Sequence, residues 1–236
     1  MLQFHLLGFP VAIHGIFWVV TAMMGGVFDA KSGPQFLSVF AWVVACLISL
    51  LIHEYGHARA MRATGDSNVR IVLHAFGGYA QGSRLLTRAE DLKVTFAGPG
   101  LQILFGLAAG WSLTIWRIPS PWLREMMDAF AVVSLFWALL NLVPILPLDG
   151  GRICAALIGN QRTALIISLV TAIAIALSSL KKGLWGGLQD TILRTLDIDA
   201  FTRVGGGYFT LVFFGLMAMN NFKQLQGEPQ IPWTRS

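Results

Sequence analysis

Apolar residues along this chain come in long runs separated by short polar stretches, and the runs carry the first reading. Residues 36–52 contain no charged side chain. Runs that approach the roughly 20 residues needed to cross a hydrocarbon core fall at about 9–27, 36–60, 92–118, 127–146, 164–180 and 208–222, which predicts six spans. Between them lie a polar turn at 29–34 and a polar tail over 223–236. Two stretches break the pattern. Residues 69–80 are short, β-branched and interrupted by Gly77 and Gly78, which suits extended strands or a re-entrant loop. Residues 181–207 place Leu184, Trp185, Leu188, Ile192 and Leu196 at nearly helical spacing, the pattern of an interfacial amphipathic helix. The predicted fold is therefore an all-α polytopic membrane protein of about six transmembrane helices, with a short re-entrant β-like segment at about 69–82.

Composition sharpens this reading. Hydrophobic residues make up 55% and charged residues 12%, against roughly 45–50% and 25% in soluble domains. The net charge of +5 comes without a basic patch interleaved with aromatics, so nucleic acid is not an expected partner; the lipid bilayer is. Cys46 and Cys154 stand alone in or beside apolar runs and read as small buried residues, not as a disulfide. The N-terminus lacks the basic stretch of a signal peptide, so the first run is expected to remain as a span. Arg59, Arg62, Arg70, Arg84, Arg88 and Lys93 crowd the segment after the second span, which assigns that side to the cytoplasm of a multi-pass cell-membrane protein. With six spans, the C-terminal ends of the second and fourth fall on this same side.

The candidate chemistry sits at the end of the second run, in His53-Glu54-Tyr55-Gly56-His57. On a helix, His53 and His57 lie one turn apart on one face, where both imidazoles reach a single metal ion. Glu54 is then placed to take a proton from water activated at that metal. Three ionisable groups in an apolar helix are costly to bury and point to function. Catalytic zinc usually takes three protein ligands. The residues after His57 lack the further glycine and histidine of a metzincin. Two candidates for the third ligand remain: His74, in the strand-like stretch, and Asp149, where Pro144 and Pro147 break the end of the fourth span on the matching side. Asp149 with its following glycines also has the composition of a turn. His14, in the first run, is a further intramembrane ionisable candidate.

His53-Glu54-Tyr55-Gly56-His57, Ala97-Gly98-Pro99 and Asn141-Leu142-Val143-Pro144-Ile145-Leu146-Pro147-Leu148-Asp149-Gly150-Gly151-Arg152 together resemble the site-2 protease family of intramembrane zinc metalloproteases. The resemblance covers the chain from the first span through Arg152. It implies a three-helix catalytic core made of spans two to four, with one zinc ion on His53, His57 and Asp149 and with Glu54 as general base and acid. Asn141 resembles the family asparagine that holds the substrate peptide or its oxyanion, and Phe76-Gly77-Gly78-Tyr79 resembles a re-entrant segment beside the active site. Gln102 stands where relatives commonly have asparagine, and Leu146 where a second proline is common.

The organisation expected is a first span and loop over 1–35, a catalytic core over 36–152, accessory spans with the interfacial segment over 153–222, and the tail over 223–236. The function expected is cleavage of transmembrane protein or peptide substrates near the cytoplasmic side, with a regulatory membrane partner as a possible gate. The competing reading is a non-proteolytic zinc transporter or sensor, against which the intact Glu54 argues.

Overall fold

The computed structural model describes residues 1–75, 77–179 and 207–227. The interfacial helix expected within 181–207 and the tail beyond 227 lie outside these described residues, apart from Gly207. The chain divides into two compact units, Met1–Leu139 and Leu140–Ser236.

The first unit opens with strands where a membrane span was expected. β1 (Leu2–Leu6) and β2 (Phe9–Ile13) form an antiparallel hairpin with Leu6 opposite Phe9. Leu7 and Gly8 make its two-residue turn, with φ of 49° and 84°, the left-handed pair that matches strand twist. Phe9, Val11 and Ile13 are buried while Pro10 is exposed. That period-two alternation lay concealed inside an apolar run. The helix that follows, α1 (Gly15–Met24), has 10 residues and rises about 15 Å, half of a hydrocarbon core. The all-α expectation and the span over 9–27 are both corrected by this arrangement.

α2 (Gly33–Ala63) runs 31 residues. Its N-terminus is closed by Gln35, whose Oε1 accepts from Ser32 N at 3.1 Å. After it come β3 (Arg70–His74) and β4 (Gly77–Gln81), the strand-like stretch read from the sequence. They join β1 and β2 in one sheet of order β1-β2-β3-β4, with β2 parallel to β3 and β3 antiparallel to β4. One sheet face packs Phe9, Val11, Ile13, Val69, Ile71, Leu73 and Ala80 against Leu50, Ala58 and Met61 of α2. α3 (Arg88–Ile115) begins at Thr87, whose N–H donates to Glu90 Oε2 at 2.9 Å, and carries Pro99 within it. α4 (Pro121–Asn141) completes the series. Among the described residues, α2 and α3 are long and apolar enough to cross a membrane. Phe96, Leu104, Leu107, Trp111 and Ile115 of α3 are exposed, the outward face that hydrocarbon would cover.

The second unit holds α5 (Asp149–Ile158), α6 (Gln161–Ser179) and α7 (Gly207–Leu225). Ala164, Ser168, Ala172 and Ala176, each four residues from the next, form a buried small-residue seam on α6. Such a seam lets a second helix approach closely, and α7 is the element α6 packs on most extensively.

Asp66, just past α2, ties the sheet to the helix. Its carboxylate accepts from Ser83 N at 2.6 Å, Arg84 N at 2.8 Å, Asn68 N at 3.0 Å and Ser83 Oγ at 3.0 Å. The Arg84 and Asn68 amides hold its pKa down at about 2. A depressed carboxylate stabilises the fold above the unfolded value, near ~3.9, and the effect fades as pH falls through the folded value. The Ser83 and Arg84 amides should therefore stay protected from exchange from neutral pH to about pH 4 and lose protection towards about pH 2. Asp66→Ala should lose it already at neutral pH, as hydrogen exchange will register.

Candidate metal centre

In the first unit, α2 presents His53, Glu54 and His57 to the interior, exposed by only 4%, 3% and 5%. Neighbouring small residues make room for them. A side chain on Gly56 would run into the Ala97 backbone, and one on Gly98 would strike the His57 ring, so α2 and α3 meet backbone to backbone at the motif. The proline at 99 withholds an N–H from α3 next to this approach.

Each imidazole is oriented by α3. His53 Nδ1 lies 2.8 Å from Gln102 Oε1, and His57 Nδ1 lies 2.8 Å from the Val94 carbonyl. Both partners accept, so both Nδ1 atoms carry the proton and donate. The two Nε2 atoms face each other at 3.0 Å. In neutral rings these are two lone pairs, an arrangement that repels until a cation lies between them. The donor set and its tautomers fit zinc, with second-shell acceptors fixing each ring in the usual way.

Gln102 is held in turn. Its Nε2 donates to Ser49 Oγ at 2.8 Å, and Ser134 Oγ donates to the same oxygen at 2.9 Å. Ser49, Gln102 and Ser134 are completely buried. This chain across α2, α3 and α4 was not read from the sequence. The only signal was Gln102 itself, noted as a departure from a family asparagine.

Glu54 lies against β4. A Cβ on Gly78 would stand 2.7 Å from Glu54 Oε1 and 2.6 Å from Leu73 Cδ2. Gly77 beside it has φ +134°, in the region glycine favours. His74 and Leu73 occupy opposite faces of β3, and it is Leu73 and Gly78 that face Glu54. His74 therefore points to the other face, where its ring lies 5.8 Å from Tyr79. Burial and the nearby His14 lower its pKa. His14 is exposed at the start of α1 and donates its N–H to the Leu73 carbonyl at 2.9 Å.

In the second unit, α4 stops at Asn141, which is half-buried, and a tight turn over 142–148 leads into α5. Asp149 is the first residue of that helix and 7% exposed. The turn expected at Asp149-Gly150-Gly151 is thus a helix N-terminus instead. Side chains on Gly150 and Gly151 would collide with the backbones of Leu142 and Ile145, so the glycines serve the close return of the chain. A carboxylate in a first helical turn is favoured by the N-terminal dipole.

The comparisons agree with this chemistry. The model of peptidase family M50 matches residues 119–180. Rip3 of Mycobacterium tuberculosis, whose name assigns it to the zinc metalloproteases, is 30% identical over 77% of this chain and 52% of its own length. A zinc metalloprotease of Methanocaldococcus jannaschii is 23% identical over 67% of this chain and 45% of its own. The chain thus spans about half the length of the curated relatives it matches. Among solved structures, the site-2 protease from Methanocaldococcus jannaschii matches with a TM-score of 0.58 and 21% identity, covering 92% of this chain and 94% of that one. The family resemblance read from the motifs is borne out by the match to the peptidase family M50 model, by the similarity to zinc metalloproteases and by the site-2 protease fold.

Two substitutions test the centre directly. Gln102→Leu should weaken zinc binding about 10- to 100-fold by releasing the His53 ring, read by chelator competition on the purified protein. Gly98→Ala should abolish zinc binding, because the added methyl occupies the space of the His57 ring; unchanged zinc binding in Gln102→Leu would contradict the role given to Gln102 in orienting His53, and unchanged binding in Gly98→Ala would contradict the placing of the His57 ring in the site.

Proposed function

We propose that this protein is an intramembrane zinc endopeptidase that cleaves transmembrane segments of membrane proteins, or their remnants, near the cytoplasmic side. The observation that carries the reading is the pair of Nε2 atoms 3.0 Å apart with Glu54 beside them on the same apolar helix. A transporter or sensor has no use for that glutamate, whereas hydrolysis requires it.

Asp149 is proposed as the third ligand. One nitrogen from each of His53 and His57 and one carboxylate oxygen from Asp149 make the donor composition of a catalytic zinc site. When bound, zinc supplies a Lewis acid that brings the pKa of water towards ~7 and polarises a carbonyl. Glu54 takes the proton of the attacking water and later returns one to the leaving amine. β4 ends the sheet, and its Gly78 touches Glu54. An extended substrate segment added to this edge would run its backbone past the base, with pairing along Gly77 and Gly78. Asn141 is the proposed donor to the substrate peptide or its oxyanion.

The larger organisation proposed is a transmembrane catalytic core over 36–152, with the later helices accessory to it. Control of substrate entry by the spans, by the segment at 181–207 or by a regulatory membrane partner belongs to this proposal as well.

Glu54→Gln should keep full zinc content and lose cleavage of membrane peptides by at least about 100-fold, as expected for loss of a general base. Mass spectrometry of peptides retained by this variant identifies the substrate; turnover persisting in it would remove Glu54 from the mechanism. Asp149→Asn should lower zinc stoichiometry, and an unchanged stoichiometry would end the case for that ligand.

A further inference from the structure

The turn that leads to Asp149 is held by polar side chains from α6 and α7. Leu146 N donates to Ser168 Oγ of α6 at 2.7 Å. Asn221 of α7 donates from Nδ2 to the Leu146 carbonyl at 3.0 Å and to Ser168 Oγ at 2.7 Å. The whole Leu146 peptide position, donor and acceptor, is thereby engaged by two side chains that are both fully buried.

This position is coupled tightly to Asp149. Leu148 N donates to the Ile145 carbonyl at 2.8 Å, and Arg152 N donates to the Leu148 carbonyl at 3.1 Å, so the turn runs directly into the first turn of α5. Gly151 lies so close to the Ile145 carbonyl and Leu146 N that a Cβ there would collide with both. Moving the Leu146 peptide therefore moves the start of α5, where Asp149 is the first residue.

Energetics argue that these groups do more than fill space. Asn221 Oδ1 is buried and finds no hydrogen-bond partner among the described residues. A buried acceptor left in that condition costs roughly 1–3 kcal/mol, a cost that leucine at the same place would avoid. The amide is compensated only by what its Nδ2 holds, which is the Leu146 carbonyl and Ser168.

We propose that Asn221 and Ser168 are positioning residues for the metal centre: they fix the Leu146 peptide and so set the orientation of the Asp149 carboxylate. On this view α6 and α7 are part of the site's geometry and not only packing. The inference rests on the reading of Asp149 as a metal ligand.

The test uses the full-length protein in detergent, loaded with cobalt(II) as a spectroscopic probe and titrated with zinc against a chelator. Asn221→Leu and Ser168→Ala should each shift the cobalt d–d absorption and weaken zinc binding about tenfold, at the lower end of the range for residues that orient ligands. Ser168→Thr keeps the hydroxyl and should restore the wild-type spectrum. Phe214→Leu, a purely apolar change on α7, should lower thermal stability and leave the spectrum alone. Wild-type spectra and affinity in both Asn221→Leu and Ser168→Ala would overturn the proposal. So would a spectral shift in Phe214→Leu equal to theirs, since general loosening of α7 would then suffice. Asp149→Asn separates the two layers: if it leaves the cobalt spectrum unchanged, the ligand reading itself fails; if it shifts the spectrum while the other variants do not, only the positioning role fails.

Discussion

The confrontation of two imidazole nitrogens inside an apolar helix is the constraint on which the rest of this structure depends. His53 and His57 each spend their Nδ1 proton on an acceptor from α3, which leaves two Nε2 lone pairs 3.0 Å apart. Away from water such a pair is unfavourable, and the surrounding helices have to hold it for a metal. That requirement explains features with no other evident purpose. Gln102 is an amide buried among apolar residues, and Ser49 and Ser134 are hydroxyls spent on keeping that amide in place.

Holding such a site also demands close approach, and the glycines meet that demand at particular points. Gly98 yields its side-chain space to the His57 ring, Gly56 lets α3 backbone reach α2, and Gly78 lets β4 lie on Glu54. The same device recurs in the second unit, where Gly150 and Gly151 let the chain fold back on the turn before Asp149. Polar anchors then stabilise what the glycines allow: Asp66 ties the end of β4 to the end of α2, and Ser168 with Asn221 ties down Leu146. Rigid backbone beside a reactive group is how a catalytic constellation keeps its geometry.

Much of the site was legible because its chemistry is local. The spacing of His53 and His57 is one helical turn, and charges within an apolar run are conspicuous wherever they stand. The proline-broken end of α4 was legible for the same reason, although the residues after it begin a helix where a turn was expected. The strands at the N-terminus were not legible. Phe9, Val11 and Ile13 alternate with Pro10, Ala12 and His14, but Ala12 is apolar as well, and a buried strand then reads like part of a span. The polar anchors on α6 and α7 were missed because a serine or asparagine in a mostly apolar helix gives no sign of its partner.

By itself, then, the sequence determined the apolar, span-like character of the chain, its candidate metal-binding and acid–base residues, the family resemblance, and the approximate positions of α2, α3, α4, α6 and α7. Those properties depend on composition and on spacings within a few residues, which local physics decides. Tertiary structure alone decided that the first apolar run is half strand and that β4 meets Glu54. It also decided that Gln102 orients His53 and that α6 and α7 grip the turn before Asp149. Apart from the β1–β2 hairpin, these contacts join residues from 22 to 75 positions apart, and a contact at such separation follows from how the elements pack, which no local pattern encodes.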